Sequence, residues 1–282
     1  MAGAPVARER AHHVEIFAIS FAALLLEIAY TRVVSFKLFY YYTYFVIGLA
    51  LLGLGSGAVL LTVSKRLREM STEAILRRGL LSGAVAIAVG YLVANRIPVS
   101  TLDIWEYGTG ASFKNLAAVA VICLAIFSAF IIVGVMIAAI LGRDAGRVGS
   151  LYFADLAGGA LACLVAVPFL DSIGAPATIF AAAAALAVAA VWVCWRTERP
   201  RLAPVAVLVG IVVAVPVFVP DSLPEVRVDS LKTQIDETSH TEWNAVFRID
   251  AADFGDHMLL FHDSLLGSAM YRWDGDTDSL GR

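Results

Sequence analysis

The sequence predicts an all-α integral membrane helical bundle of about seven spans, followed by a short C-terminal β-rich soluble tail. Three observations lead there. Apolar stretches long enough to cross a bilayer recur from about Val14 to Val219 and then stop. The 282 residues are 60% hydrophobic and 16% charged. Their mean hydropathy is +0.79, which leaves too few polar side chains to cover a water-facing surface. The charge is also divided: residues 1–220 hold 16 Lys+Arg and 11 Asp+Glu, whereas residues 221–282 hold 5 and 13. The expected organisation is a transmembrane domain over 1–219 and a soluble tail over 220–282. A soluble enzyme is excluded, and the acidic tail argues against a nucleic-acid partner.

Roughly twenty apolar helical residues span a bilayer core. That rule places spans near 14–36, 42–63, 79–95, 115–141, 150–170, 175–195 and 202–219. The first is too long for the apolar core of a signal peptide and lacks a small-residue cleavage site, so it reads as an uncleaved span. The last carries Pro204 and Pro216, which membrane helices tolerate when neighbours satisfy the freed carbonyls. Basic residues then set the orientation. Arg8 and Arg10, the group Lys65, Arg66, Arg68, Arg77 and Arg78, the pair Arg143 and Arg147, and the group Arg196, Arg199 and Arg201 fall on alternate connections. The positive-inside rule makes these cytoplasmic, with the N-terminus inside and the tail outside. The expected setting is a cytoplasmic membrane. Tyrosines from Tyr40 to Tyr44, with Trp105, Tyr107, Trp192 and Trp195, mark the headgroup zones.

Small residues predict where helices touch. Gly53 and Gly57 form a GxxxG pair in the second span, and Ala154, Gly158 and Ala162 repeat the same spacing in the fifth. The run GLGSG lies inside a span, without the preceding strand or following lysine of a phosphate loop, so packing accounts for it. Cys123, Cys163 and Cys194 all lie in apolar stretches and form no disulfide framework or metal motif.

Two acids interrupt the apolar spans. Glu27 lies near the middle of the first, with Tyr30 and Thr31 on the same face as hydrogen-bonding candidates and Arg32 as an offset partner. Asp155 lies about five residues inside the fifth, near Tyr152 and within snorkelling reach of Arg143 or Arg147. Intramembrane acids serve either a proton or substrate path or helix pairing. Their different depths, with no third acid between them, favour pairing.

In the tail, alternation suggests strands near 225–229, 242–250, 257–263 and 268–273, with turns at Asp253, Gly255 and Gly267. His257 and His262 are five apart and so face opposite sides of one strand, which argues against a shared metal. The acids from Asp274 to Asp278 resemble a calcium loop but lack its glycine and closing glutamate.

Three phrases together resemble bacterial membrane-embedded spermidine-synthase-like proteins, a polyamine aminopropyltransferase-like family. They are LLLEIAYTRVVSFKLFYYYTYFVIGLALLGLGSGAVL, GRVGSLYFADLAGGALACLVAVPFLDSIGAPATIFAAAAALA, and EWNAVFRID followed by MLLFHDSLLGSAMYRWDGD. The resemblance implies that the tail is the small β-region that introduces a nucleotide-type α/β domain. That domain would bind decarboxylated S-adenosylmethionine or a relative. Here the chain reaches Arg282 before any glycine-rich strand-to-helix turn, so it is expected to hold no cofactor and not to be catalytic alone. The family's Asp-Gly pair has its nearest equivalent in Asp263-Ser264, so Asp263 is the one catalytic candidate. Trp243 and Asn244 match the pattern without an assigned role. Expected partners are the lipid bilayer and either a separate catalytic subunit or a second copy. The alternative is a transporter or membrane scaffold sharing the family's membrane domain.

Overall fold

The computed structural model describes residues 12–197, 202–235, 237–273 and 275. Arg8, Arg10, Arg199, Arg201 and the acids Asp274, Asp276 and Asp278 lie outside the described residues. The helices are α1 (His13–Lys37), α2 (Thr43–Val63), α3 (Lys65–Glu69), α4 (Thr72–Arg96), α5 (Gly110–Arg143), α6 (Val148–Arg196) and α7 (Ala203–Phe218). Local chemistry starts several of them. The hydroxyls of Ser71 and Thr109 accept from the amides of Ala74 and Ser112, supplying N-caps to α4 and α5. A three-tyrosine turn, Tyr40–Tyr42, leads into α2.

Five of the described helical segments are long and apolar enough to cross a membrane: α1, α2 with its leading turn, α4, α5 and α6. The third and fourth run well beyond the 79–95 and 115–141 expected for them, because their polar ends continue the helix. At 49 residues, α6 would measure about 73 Å if straight. It is not straight. Gly174, at φ 78° and ψ 163°, breaks it between Pro168 and Pro176. Both ends of α6 meet the start of α1, Ser150 through His13 at 2.9 Å and Arg196 through Glu15 at 2.6 Å. Its middle instead meets the tail, where Asp171 accepts from the Ala245 amide at 2.7 Å. It is therefore a hairpin of two arms, which correspond to the separate stretches 150–170 and 175–195. The α7 helix is apolar but has only 16 residues.

In the bundle, α1 packs on α6, α2 on α5, and α4 bridges α5 and α6. Many outward side chains are apolar and exposed, including Leu51, Val59, Phe153, Leu164, Val188, Leu208 and Phe218. One continuous apolar core runs from Ile16 to Val226 and joins helices and tail.

The tail differs from expectation in three places. Residues 225–229 form no strand. Their amides and carbonyls go instead to Asn95 and Lys37 at the ends of α4 and α1, which leaves no ladder partner. The expected strand over 242–250 is two strands, β1 (His240–Trp243) and β2 (Arg248–Asp253). Asn244 reverses the chain between them by accepting from the Val246 amide at 2.9 Å. Gly267 is not a turn but lies inside β4 (Leu265–Tyr271), opposite the register shift at Leu260/Phe261 in β3 (His257–His262). The turn between β3 and β4 is Asp263-Ser264, with φ of 48° and 61°. The four strands form an antiparallel meander in the order β1-β2-β3-β4.

Candidate functional site

Two places bring polar side chains together: the junction between sheet and bundle, and a cavity among the helices.

The junction is assembled from the tail-side ends of α1 and α4. The last carbonyls of α1 have no donor within the helix and lie at its buried end, so they need donors from elsewhere. Lys232 donates to the carbonyls of Ser35 at 3.0 Å and Phe36 at 2.6 Å, placing a cation at the negative end of the helix. Lys37 donates to the carbonyl of Arg227 at 2.9 Å, and its own carbonyl accepts from the Asp229 amide at 2.7 Å. Asn95 uses both halves of its amide, accepting from the Arg227 amide at 3.1 Å and donating to the Pro224 carbonyl at 3.0 Å. Asp229 accepts from the Thr101 amide at 2.8 Å. Burial pushes the Lys232 ammonium down to about 8, against the pull of the Asp263 carboxylate, with Arg32 adding to the fall and Asp229 opposing it.

Arg32 is 5% exposed and does not pair with Glu27. It forks onto both oxygens of Asp263, Nη1 to Oδ2 at 3.2 Å and Nη2 to Oδ1, and its Nε donates to the Asn244 carbonyl at 3.3 Å. Asp263 also accepts from the Arg248 amide at 3.0 Å. Its place in the β3–β4 turn thus aims its carboxylate back at α1. Trp243 completes the seam. It lies 5.0 Å from the Phe36 ring and 5.6 Å from each of the guanidinium carbons of Arg32 and Arg248. Its indole fills the space that a Cβ on Gly174 would occupy, at 2.8 Å. Arg248 closes the back of the seam on Asp250 at 2.9 Å and Glu225 at 2.6 Å.

The cavity lies between the α1–α6 and α2–α5 pairs and measures about 670 Å³. Small residues set the spacing of those pairs. A Cβ on Gly158 would collide with the backbone at Phe17, one on Gly57 with the backbone of Ile131 and Val135, and one on Gly53 would come within 2.5 Å of Phe130 Cβ. Ala162, four residues on from Gly158, is fully buried. Into the gap left between the pairs project Ser20, Ala23, Leu24 and Glu27 from α1, and Asp155, Gly159 and Cys163 from α6. Leu54, Phe130 and Leu141 form the opposite apolar wall.

Glu27 and Asp155 therefore share one cavity, although they lie at different heights. Asp155 accepts from the Ser20 hydroxyl rather than from arginine. Arg143 turns instead to the carbonyls of Met70 and Leu67, and Arg147 lies 3.6 Å from Asp144. Neither expected neighbour reaches Glu27: Thr31 donates to the Ile28 carbonyl at 2.7 Å, and the Tyr30 hydroxyl is buried without a partner among the described residues. No described residue hydrogen-bonds or ion-pairs with Glu27.

Sequence reasoning singled out Arg32 and Asp263 separately and missed Lys37, Asn95, Asp229, Lys232 and Arg248. The available signal was charge complementarity, with basic side chains at the tail-side ends of apolar spans facing an acidic tail. No group of three or more His, Cys, Asp or Glu suited to a metal occurs among the described residues. His257 rests on Phe254 and Tyr271, and His262 on Phe247. No family model, no curated protein and no solved structure matches this chain.

Proposed function

We propose that the chain is a multi-pass protein of the bacterial cytoplasmic membrane and the membrane-embedded portion of a spermidine synthase-like system. In this reading the sheet lies outside, as a platform for an α/β cofactor domain. That domain binds decarboxylated S-adenosylmethionine or a relative.

The observation that carries the reading is the Arg32–Asp263 fork. It ties the sheet to the bundle through a buried, bidentate contact, so the platform has a fixed orientation. It also occupies the carboxylate that the resemblance would place beside an amine substrate. Asp263 is spent on Arg32 and on the Arg248 amide, which leaves its carboxylate engaged rather than free to take a proton or hold an amine. The apolar outward faces of α2, α6 and α7 support lipid as the surrounding solvent.

The test supplies residues 1–282 with a glycine-rich α/β domain as a separate polypeptide. The expected result is co-purification in detergent and aminopropyl transfer from decarboxylated S-adenosylmethionine by the pair, with none from either alone. Absence of both association and transfer would overturn the reading. A transport function is the second reading, favoured by the cavity between the helix pairs; solute flux into vesicles containing this chain alone would support it.

A further inference from the structure

We infer that the cavity between the α1–α6 and α2–α5 pairs is a binding site for an amphipathic organic cation, an amine with an apolar tail, whose ammonium rests on Glu27. The inference goes beyond the reading above, which concerns the sheet and its junction.

The lining carries a sign. Of its side chains, Glu27 and Asp155 can bear charge as carboxylates, and no Lys, Arg or His is among them. Asp155 has the Ser20 hydroxyl. Glu27 has no partner among the described residues, yet it faces a space of about 670 Å³, within the range that holds drug-sized molecules. A carboxylate in apolar surroundings needs either a proton or a cation. Among the described residues none supplies a cation, and the cavity leaves room for one.

The rest of the wall selects the body of the ligand. Apart from these acids, Ser20 and Cys163, the lining is carbon: Leu, Ala, Ile, Phe and Gly. A free polyamine, charged along its whole length, would press most of its ammonium groups against that carbon without hydrogen-bond partners. A single-headed amine satisfies both ends. The rim includes Leu156 and Cys163, both exposed on the apolar flank of the bundle, so such a molecule enters sideways from lipid.

The register supplies a reporter. The first arm of α6 runs parallel to α1, since both start at the same end of the bundle, where His13 meets Ser150. Ser20 faces Asp155. Seven residues further along α1 comes Glu27, and eight further along α6 comes Cys163. At the same rise per residue they sit at nearly one height, about 10 Å beyond the Ser20–Asp155 contact. A head group on Glu27 therefore shields Cys163.

The experiment follows the alkylation rate of Cys163 by N-ethylmaleimide in the full chain, purified in detergent with Cys123→Ala and Cys194→Ala, and read by mass spectrometry. Dodecylamine, dodecanol and spermidine are the probes. Dodecylamine is expected to slow alkylation about tenfold more than dodecanol, the ratio that one charge-assisted hydrogen bond yields, and spermidine is expected to do little. Glu27→Gln should erase the difference between amine and alcohol, while Asp155→Asn should leave it. Equal protection by amine and alcohol would overturn the proposal, because it would mean an acyl-chain groove with a protonated Glu27. Protection by amine that survives Glu27→Gln, or protection by spermidine equal to that by dodecylamine, would overturn it as well. If Glu27→Gln does not fold, the contrast among the three probes on the unsubstituted acid still decides.

Discussion

Arg32 and Asp263 lie 231 positions apart in the chain and are joined by two hydrogen bonds at a seam that water barely reaches. A buried ion pair gains little net stability over an apolar replacement, but removing one partner strands the other charge. Asp263→Asn is the clean test, because asparagine tolerates the left-handed turn conformation at φ 48° while losing the charge. We expect it to cost about 3 kcal/mol of sheet docking, read as faster proteolysis of the tail in detergent. Arg32→Met combined with Asp263→Asn should cost less than the two single changes added together. Lys232 provides a second test at this scale. Its folded value is depressed from 10.5 to about 8. Between those two pH values the unfolded chain binds the extra proton, so this group's contribution to stability rises with pH across that window and is lost as pH falls through 8. Thermal unfolding of the native chain minus that of Lys232→Met should show this rise between pH 8 and 10. A flat difference would place the Lys232 ammonium in water.

The turn of α6 illustrates how backbone and side chain fix an element together. Gly174 adopts a positive φ of 78° in a region closed to other residues, and the Trp243 indole lies where a Cβ would be. Gly174→Ala should therefore strain the hairpin corner and lift β1 off the bundle together, at a cost of about 2 kcal/mol or more. A lowered unfolding temperature accompanied by a red shift in tryptophan emission would report it. Much of the architecture was legible beforehand, because twenty-residue apolar runs and their small-residue spacing carry helices and helix contacts directly. Gly53, Gly57 and Gly158 all lie where another backbone approaches. The tail was harder to read. Its period-two pattern marks strands but not their ends, so the Asn244 reversal and the Gly267 bulge escaped notice. Residues 225–229 alternate like a strand, yet their hydrogen bonds go to helix ends in remote sequence. The junction was hidden for the same reason: Arg32 looks like a partner for Glu27 until the fold carries Asp263 back to it. The shared cavity of Glu27 and Asp155 depends on which helices pair, and no local spacing states that.

At the scale of the whole molecule, the two ends of the bundle differ in charge. One end gathers Lys65, Arg66, Arg68, Arg77, Arg78, Arg143, Arg147 and Arg196, in the α2–α4, α5–α6 and α6–α7 connections or in the helix ends beside them. The other holds Arg32 and Lys37, both engaged by the tail, with Arg96 and Lys114 beyond them. In the reading proposed above, the first end faces the cytoplasm and the sheet faces out. Everything then depends on α6 crossing twice. With the hairpin at Gly174, reporters fused after Glu69, Asp144 and Thr197 all lie on the side of the basic end, and a reporter after Tyr271 lies opposite, because α7 makes the final crossing. A straight α6 would instead place Asp144 and Thr197 on opposite sides. We expect cytoplasmic signals from the first three fusions and an external signal from the fourth. Disagreement between Asp144 and Thr197 would remove the hairpin. A cytoplasmic signal at Tyr271 with the other three unchanged would mean that the 16-residue α7 lies within the interface rather than across it. The sheet, fixed to the opposite end of α1 by Arg32, cannot follow that second outcome without breaking the junction. Topology and the Arg32–Asp263 contact therefore stand or fall together, and the four fusions repeated in Asp263→Asn would show whether the contact or the apolar length of α7 decides the side of the tail.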